Sequence, residues 1–221
     1  MNIVLTPVEA RVLGSLIEKQ IARPDSYPLS LNALRAACNQ KSNRSPVMHV
    51  DEKTIVRALD DLGEKQLARR VIISGVRVPK YRHDIQSTFE LSSQELSVLC
   101  VLLLRGPQTA GEIRSRTVRL CVFHDLAEVE ATLHGLMERD DGPFVVKLPR
   151  ETGHREQRYT HLFCGEPRVE GASAIPSLEA ATLEVQSENK RIAALEQEVA
   201  RLWRELEELK RRFVAFTKQF E

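Results

Sequence analysis

Leu5-Thr6-Pro7-Val8-Glu9-Ala10-Arg11-Val12-Leu13-Gly14-Ser15-Leu16 and Leu91-Ser92-Ser93-Gln94-Glu95-Leu96-Ser97-Val98-Leu99-Cys100-Val101-Leu102 are one pattern written twice, 86 positions apart. Leu5, Glu9, Val12, Leu13 and Leu16 recur as identities, and Thr6 becomes Ser92. Each copy opens on a capping box, Thr6-x-x-Glu9 or Ser92-x-x-Glu95. There the hydroxyl accepts from the third helical amide and the carboxylate reaches back to the cap amide. Pro7 suits the first helical position. The spacing predicts a helix in each copy, with Val12, Leu13, Leu16 and Ile17 inward in the first and Val98, Leu99, Leu102 and Leu103 inward in the second.

Working outward, the copies stay parallel. Asp51 to Leu62 reads as a capped amphipathic helix with Ile55, Leu59 and Leu62 inward; Asp125 to Arg139 is its counterpart, with Val129, Leu133 and Leu136 inward. Ser30 to Cys38 and Thr109 to Arg116 read as short helices between the first and third. The first copy carries about 12 more residues before its third helix. Strand pairs follow, Leu67–Ser74 with Val76–His83 around Gly75, and Phe144–Leu148 with Gln157–Phe163, with Tyr81 and Tyr159 in matching places. Helix, helix, helix, hairpin is the order of a winged helix-turn-helix. The predicted class is therefore mainly α with small β-hairpin wings. It comprises a winged-helix domain over 1–84, a second over 85–165, a linker over 166–177 and a coiled-coil helix over 178–221.

Composition agrees with a globular chain of one or two domains: 221 residues, 42% hydrophobic, 29% charged. Aromatics are only 5%, so the core must be built from Leu, Val, Ile and Ala. The start lacks the basic and apolar regions of a secretory signal. The longest apolar run, Val98–Leu104, is far short of a membrane span. Cys38, Cys100, Cys121 and Cys164 form no Cys-x-x-Cys pair and read as reduced thiols. The expectation is a cytoplasmic protein with no membrane contact.

Leu31-Asn32-Ala33-Leu34-Arg35-Ala36-Ala37-Cys38-Asn39-Gln40-Lys41-Ser42-Asn43-Arg44-Ser45-Pro46-Val47-Met48 resembles the signature of the YceH-like family. The opening Leu5–Gly14 and the strand end Tyr81-Arg82-His83 are similar to that family too. The resemblance covers residues 1 to about 165 and is most specific over Cys38–Arg44. It implies tandem winged helices in a bacterial family of uncharacterised function, and it brings no activity.

Function must then be sought in the charge. The net charge is +1, but residues 1–84 hold 14 Lys and Arg against 9 Asp and Glu, a net of +5. Residues 85–165 and 166–221 each hold 9 against 11, a net of −2 apiece. In the first copy the charges gather on the hairpin (Arg69, Arg70, Arg77, Lys80, Arg82), and on the turn and third helix (Lys41, Arg44, Lys53, Arg57). A winged helix on double-stranded DNA needs this distribution, with the third helix in the major groove and basic hairpin residues on phosphates. Asn39, Gln40, Asn43 and Arg44 add donors able to pair with base edges. Two plainer readings stand beside this one. The hairpin charges protect an edge strand, or the Asn39–Arg44 stretch is a hydrogen-bonded loop joining the second and third helices. Asp51, Glu52, Asp60 and Asp61 would oppose phosphate. The second copy, with Glu128, Glu130 and Glu138 on its third helix, points instead to a structural role or a protein partner.

In the tail, Leu178, Ala181, Val185, Ile192, Leu195, Val199, Leu202, Leu206, Leu209, Phe213 and Phe216 recur at steps of three and four, broken only at Glu188. A homodimer through this seam, with Ile192, Leu195, Val199, Leu202, Leu206, Leu209 and Phe213 at its centre, is the expectation. A helix folded back on its own chain is the alternative. No phosphate-binding loop, dinucleotide fingerprint or nucleophile elbow occurs. Cys121-x-x-His124 has no second ligand pair to complete a zinc site. His83 and His161 both follow a hairpin tyrosine, which suggests structure before catalysis. No enzyme activity, metal or cofactor is expected. The expected function is a dimeric DNA-binding protein of transcription-regulator type; the alternative is a non-catalytic scaffold for protein assembly.

Overall fold

The computed structural model describes residues 3–72, 78–150 and 156–167, together with Arg201 and Lys210. The chain divides into two units, Met1–Ala172 and Ser173–Glu221. The coiled-coil expectation, with Ile192, Leu195, Val199, Leu202, Leu206, Leu209 and Phe213, lies outside the described residues, as does Arg77.

The first unit is mainly helical with small antiparallel sheets. Its first half runs α1 (Pro7–Ala22), a 3-10 turn (Pro24–Ser26), β1 (Leu29–Ser30), α2 (Leu31–Cys38), α3 (Glu52–Glu64), β2 (Ala68–Val71) and β3 (Lys80–His83). A short helix α4 (Ile85–Thr88) leads into α5 (Ser93–Arg105), α6 (Ala110–Thr117), α7 (Leu126–Met137), β4 (Val145–Lys147) and β5 (Tyr159–His161). Both capping boxes at the copy starts form as read from sequence, and Thr109 with Glu112 makes a third at α6. Ser30, Asp51 and Asp125 cap α2, α3 and α7, each accepting from the amide three residues on.

One strand was not read from the sequence. β1 adds to the first hairpin, giving the order β1-β3-β2, with Leu29 opposite Tyr81. The second half repeats the join with a single residue, Gln108, bridged to Tyr159 by paired backbone bonds of 2.9 and 2.7 Å. The two tyrosines therefore hold the same register, each opposite the residue that precedes a short second helix.

The inward residues predicted for the first helices are all buried, and burial extends beyond them. Every residue from Glu9 to Ile17 and from Leu96 to Leu104 is buried. Each helix packs on its own copy with one side and on the other copy's first helix with the opposite side. One hydrophobic core runs through both copies, from Leu5 to Phe163, rather than two cores meeting at a polar interface. Phe89, beside α4, stacks edge-on against Phe144 at 4.8 Å, and Phe144 meets Phe163 at 5.3 Å, so the aromatics concentrate beneath the second hairpin. Leu5 N–H donates to the Phe163 carbonyl at 2.6 Å, tying the start of one copy to the end of the other. Among the described residues, no helix is long and apolar enough to cross a membrane.

Candidate nucleic-acid interface

The basic residues of the first copy divide into two populations. Lys53 and Arg57 are exposed, one turn apart near the start of α3. Their helix buries Ile55, Ala58, Leu59 and Leu62, so the stripe opposite is left to solvent. Asp60 and Asp61 share exposure farther along, which puts the positive charge on the N-terminal half. Glu52 has a cationic neighbour in Arg35, 4.0 Å away. The Asp51 carboxyl is held below its ordinary value by the Thr54 backbone and hydroxyl, with Lys53 and Arg57 adding smaller contributions.

On the hairpin, Arg69 and Arg70 are exposed and Lys80 and Arg82 half-buried. Arg69 and Arg82 face one another across the strands and share a carboxylate, Asp84, at 3.1 and 3.3 Å. Part of their charge is thus already met. Lys41 is exposed on the loop after α2.

Arg44 belongs to the second population, and its expected place at base edges is corrected, because its donors are spent inside the fold with Asn39 and Gln40 beside it. The Arg44 side chain is 0% exposed. Its guanidinium donates to the Ala37 carbonyl at 3.0 and 3.1 Å, to Gln40 Oε1 at 3.0 Å and to both Glu18 oxygens at 3.1 and 2.7 Å. Asn39 closes a two-way pair with the Val50 backbone, both bonds 2.8 Å. Gln40 also accepts from Lys19 at 3.5 Å. Asn43 sits at φ 61° and accepts from Arg105 of the second copy. The physical reason is the long insertion between α2 and α3: outside helix and sheet, its backbone polar groups must find side-chain partners.

Sequence reasoning missed Arg11, which completes this scaffold. Arg11 is 1% exposed and donates to the Cys38 carbonyl at 3.2 Å and the Pro46 carbonyl at 2.6 Å. Burial first, and the neighbouring Arg44 charge second, pull its pKa down to about 10. Burial alone would raise Glu18, but Arg44 and Lys19 outweigh it and hold that carboxyl below the usual range. A signal was present: the matching residue of the second copy, which lacks the insertion, is Ser97.

The loop joining α6 to α7 differs from its first-copy equivalent. It exposes Val118 (65%) and Val122 (68%), and Leu126 at the start of α7 is 42% exposed. Cys121 and His124 flank these apolar residues. Among the described residues, no group of three or more His, Cys, Asp or Glu is placed to hold a metal ion. His83 is 2% exposed and sits 6.2 Å, ring to ring, from Tyr27, whose hydroxyl accepts from the His83 backbone at 2.7 Å.

Similarity to known proteins fits the whole chain. The family described as "Protein of unknown function, DUF480" matches residues 5–154. A UPF0502 protein of Geotalea uraniireducens is 53% identical over 221 residues, 100% of both chains. UPF0502 proteins of Photobacterium profundum and Vibrio parahaemolyticus are 51% and 52% identical, each over 215 residues, 95% of this chain and 96% of the relative. With a match over most of its length and relatives this similar end to end, the chain belongs to the DUF480, or UPF0502, family of uncharacterised bacterial proteins.

Proposed function

We propose that the chain is a non-catalytic, double-stranded-DNA-binding protein built from two winged helices, which contacts DNA through the first. The repeated order of three helices and a hairpin supports the winged-helix reading, as do the matching joins Leu29–Tyr81 and Gln108–Tyr159. The observation that carries the DNA reading is the exposed Lys53–Arg57 pair on the N-terminal half of α3, the part of a third helix that lies nearest base edges. Lys41, Arg70 and Lys80 would meet phosphates, with Arg69 and Arg82 adding the charge that Asp84 leaves over. The heptads of 178–221 would pair two chains and so present two such arms, an arrangement suited to a transcription regulator.

Fluorescence anisotropy with a duplex across a salt series tests this. Contacts to about five phosphates predict a log–log slope near −4.5. Lys53→Glu with Arg57→Glu abolishes binding while leaving the unfolding midpoint in place. Binding unchanged in that variant rules out docking by α3, and no binding to any duplex overturns the reading. Sedimentation should give a dimer for the full chain and a monomer for residues 1–177; a monomeric full chain refutes the pairing.

A second reading has an observation of its own. Val118, Val122 and Leu126 expose apolar surface where the first copy has its polar insertion, and exposed apolar groups favour a protein partner. On that reading the second copy docks protein and the molecule is a scaffold. Loss of a co-purifying partner on Val118→Ser with Val122→Ser, with DNA binding absent throughout, would favour it.

A further inference from the structure

A cavity of about 350 Å³ opens at the junction of the two copies. It lies where the insertion of the first copy, at Asn43–Ser45, meets the end of α5 and the start of α6. Three guanidinium groups line it from three separate elements: Arg105 ends α5, Arg116 lies in the last turn of α6, and Arg158 leads into β5. Each is anchored on one side. Arg105 donates to Asn43, Arg116 to Glu112 at 3.2 Å, and Arg158 to the Pro107 carbonyl at 3.3 Å. A guanidinium carries several further donors in one plane, so anchoring fixes the group without exhausting it.

The charge is unbalanced. Among the described lining residues, apart from Arg44, whose charge is met by Glu18, three guanidinium groups face one carboxylate, Glu112; Glu156 lies close by, beside Gly111 at the start of α6. Glu112 is itself doubly engaged, by Arg116 and by the Thr109 amide of its capping box. Burial lowers the Arg105 pKa, and the charges of Arg116 and Arg44 push it the same way, the signature of cations gathered more closely than their own interactions favour.

Gln108 braces the wall between Arg105 and Pro107. It lines the cavity, is 4% exposed, and donates through Nε2 to the Arg105 and Pro107 carbonyls at 3.3 and 2.6 Å. Its Oε1 is sealed from solvent and, among the described residues, accepts from none. A buried acceptor left in that state is costly unless something donates to it. The cavity offers a net positive charge in a polar recess. Its volume is at the small end for ligand sites, and its polar lining excludes an apolar guest.

We propose that this cavity binds a small phosphate monoester, with the phosphoryl oxygens on Arg105, Arg116 and Arg158. A phosphate monoester carries close to two negative charges at neutral pH and accepts planar, paired guanidinium bonds. The proposal stands apart from the DNA reading, because its ligand enters a recess between the copies rather than lying on α3.

Calorimetry on the full chain tests it, with glycerol 3-phosphate, inorganic phosphate and glycerol as probes. The expected result is binding of both anions with Kd at or below about 1 mM, and no binding of glycerol. Arg105→Ala with Arg158→Ala should weaken both anions by about tenfold or more. The milder Arg105→Lys with Arg158→Lys, which keeps the charge and loses the planar fork, should weaken them in the same order. Absence of binding by both anions overturns the proposal, and so does binding that survives both arginine variants. Loss of duplex affinity in those variants, with no small anion bound, assigns the cluster to DNA phosphates and overturns it equally.

Discussion

The Cys100 thiol donates to the Gly14 carbonyl oxygen, with sulfur and oxygen 3.6 Å apart. These two residues occupy the same position of the repeat, 86 apart. The copies thus cross at corresponding points of α1 and α5, as two subunits cross at a two-fold axis. Gly14 permits the approach. A β-carbon built there would meet Leu104 Cδ2 at 2.9 Å, Leu104 Cγ at 3.0 Å and Leu103 Cβ at 3.1 Å.

Gly14→Val should destabilise the first unit. Replacing a mid-helix glycine gains up to about 1 kcal/mol of helix propensity, but overpacking costs about 1–3 kcal/mol, and a branched side chain stands at the upper end. A fall of about 2–6 °C in the unfolding midpoint is expected by calorimetry. An unchanged or raised midpoint would mean that the helices do not cross at Gly14.

Arg44 and Lys53 should separate in a pair of assays. Arg44→Ala leaves the Ala37 carbonyl without its donor and the Glu18 carboxylate with Lys19 alone, at a cost of about 1–3 kcal/mol. Arg44→Lys should recover little, since an ammonium cannot span Ala37, Gln40 and Glu18 together. Lys53→Ala should lie within about 0.5 kcal/mol of the parent in urea unfolding, because it is an exposed surface change. If Arg44→Ala is as stable as Lys53→Ala, the buried network is not what holds the insertion.

Acid should weaken the fold through its histidines before its carboxylates. Burial, with the Arg82 charge adding to it, holds His83 down to about 4 against an ordinary 6.5, and burial holds His161 down to about 4 as well. Both rings stay neutral in the folded protein while the unfolded chain takes up protons. Their contribution is therefore complete above the ordinary value of 6.5 and is lost as pH falls from there towards 4. For His83 the loss is on the order of 1–3 kcal/mol. Glu9 and Glu18, both held low, add their own losses only below about their ordinary 4.5. Urea midpoints of His83→Phe should therefore fall less steeply than those of the parent between about pH 6.5 and 5; parallel curves would clear His83 of the role.

Thiol labelling should divide the cysteines evenly. Cys38 and Cys100 are buried, and burial pushes both thiols up, away from the reactive thiolate. Cys121 is half-buried and Cys164 exposed. Two fast equivalents are expected in the folded protein, with the other two released by denaturant. Rapid reaction of Cys100 in buffer would show that the junction of α1 and α5 opens.

The helices were legible because their signals are local. Thr6 with Glu9 and Ser92 with Glu95 cap within three residues, and the apolar spacing of α3 reads from Ile55, Leu59 and Leu62 alone. The joins at Leu29 and Gln108 were not, since a two-residue strand has no period and draws its partner from far along the chain. The candidate interface was half legible. Lys53 and Arg57 follow from helix geometry, whereas Asn39 and Arg44 look alike as surface donors or internal braces until the insertion is seen folded over Glu18 and Val50. Arg11 was hidden in an apolar helix for the same reason.

Two separate subunits meeting at Gly14 and Cys100 would part on dilution, and any charge set on one would appear on both. Joined in a single chain, the halves hold together at every concentration and are released from symmetry. One can gather cations while the other sheds them, and a recess at their junction can be walled by unlike residues from each side. The crossing of α1 and α5 thus gives the molecule the permanence of a single domain with the asymmetry of a heterodimer.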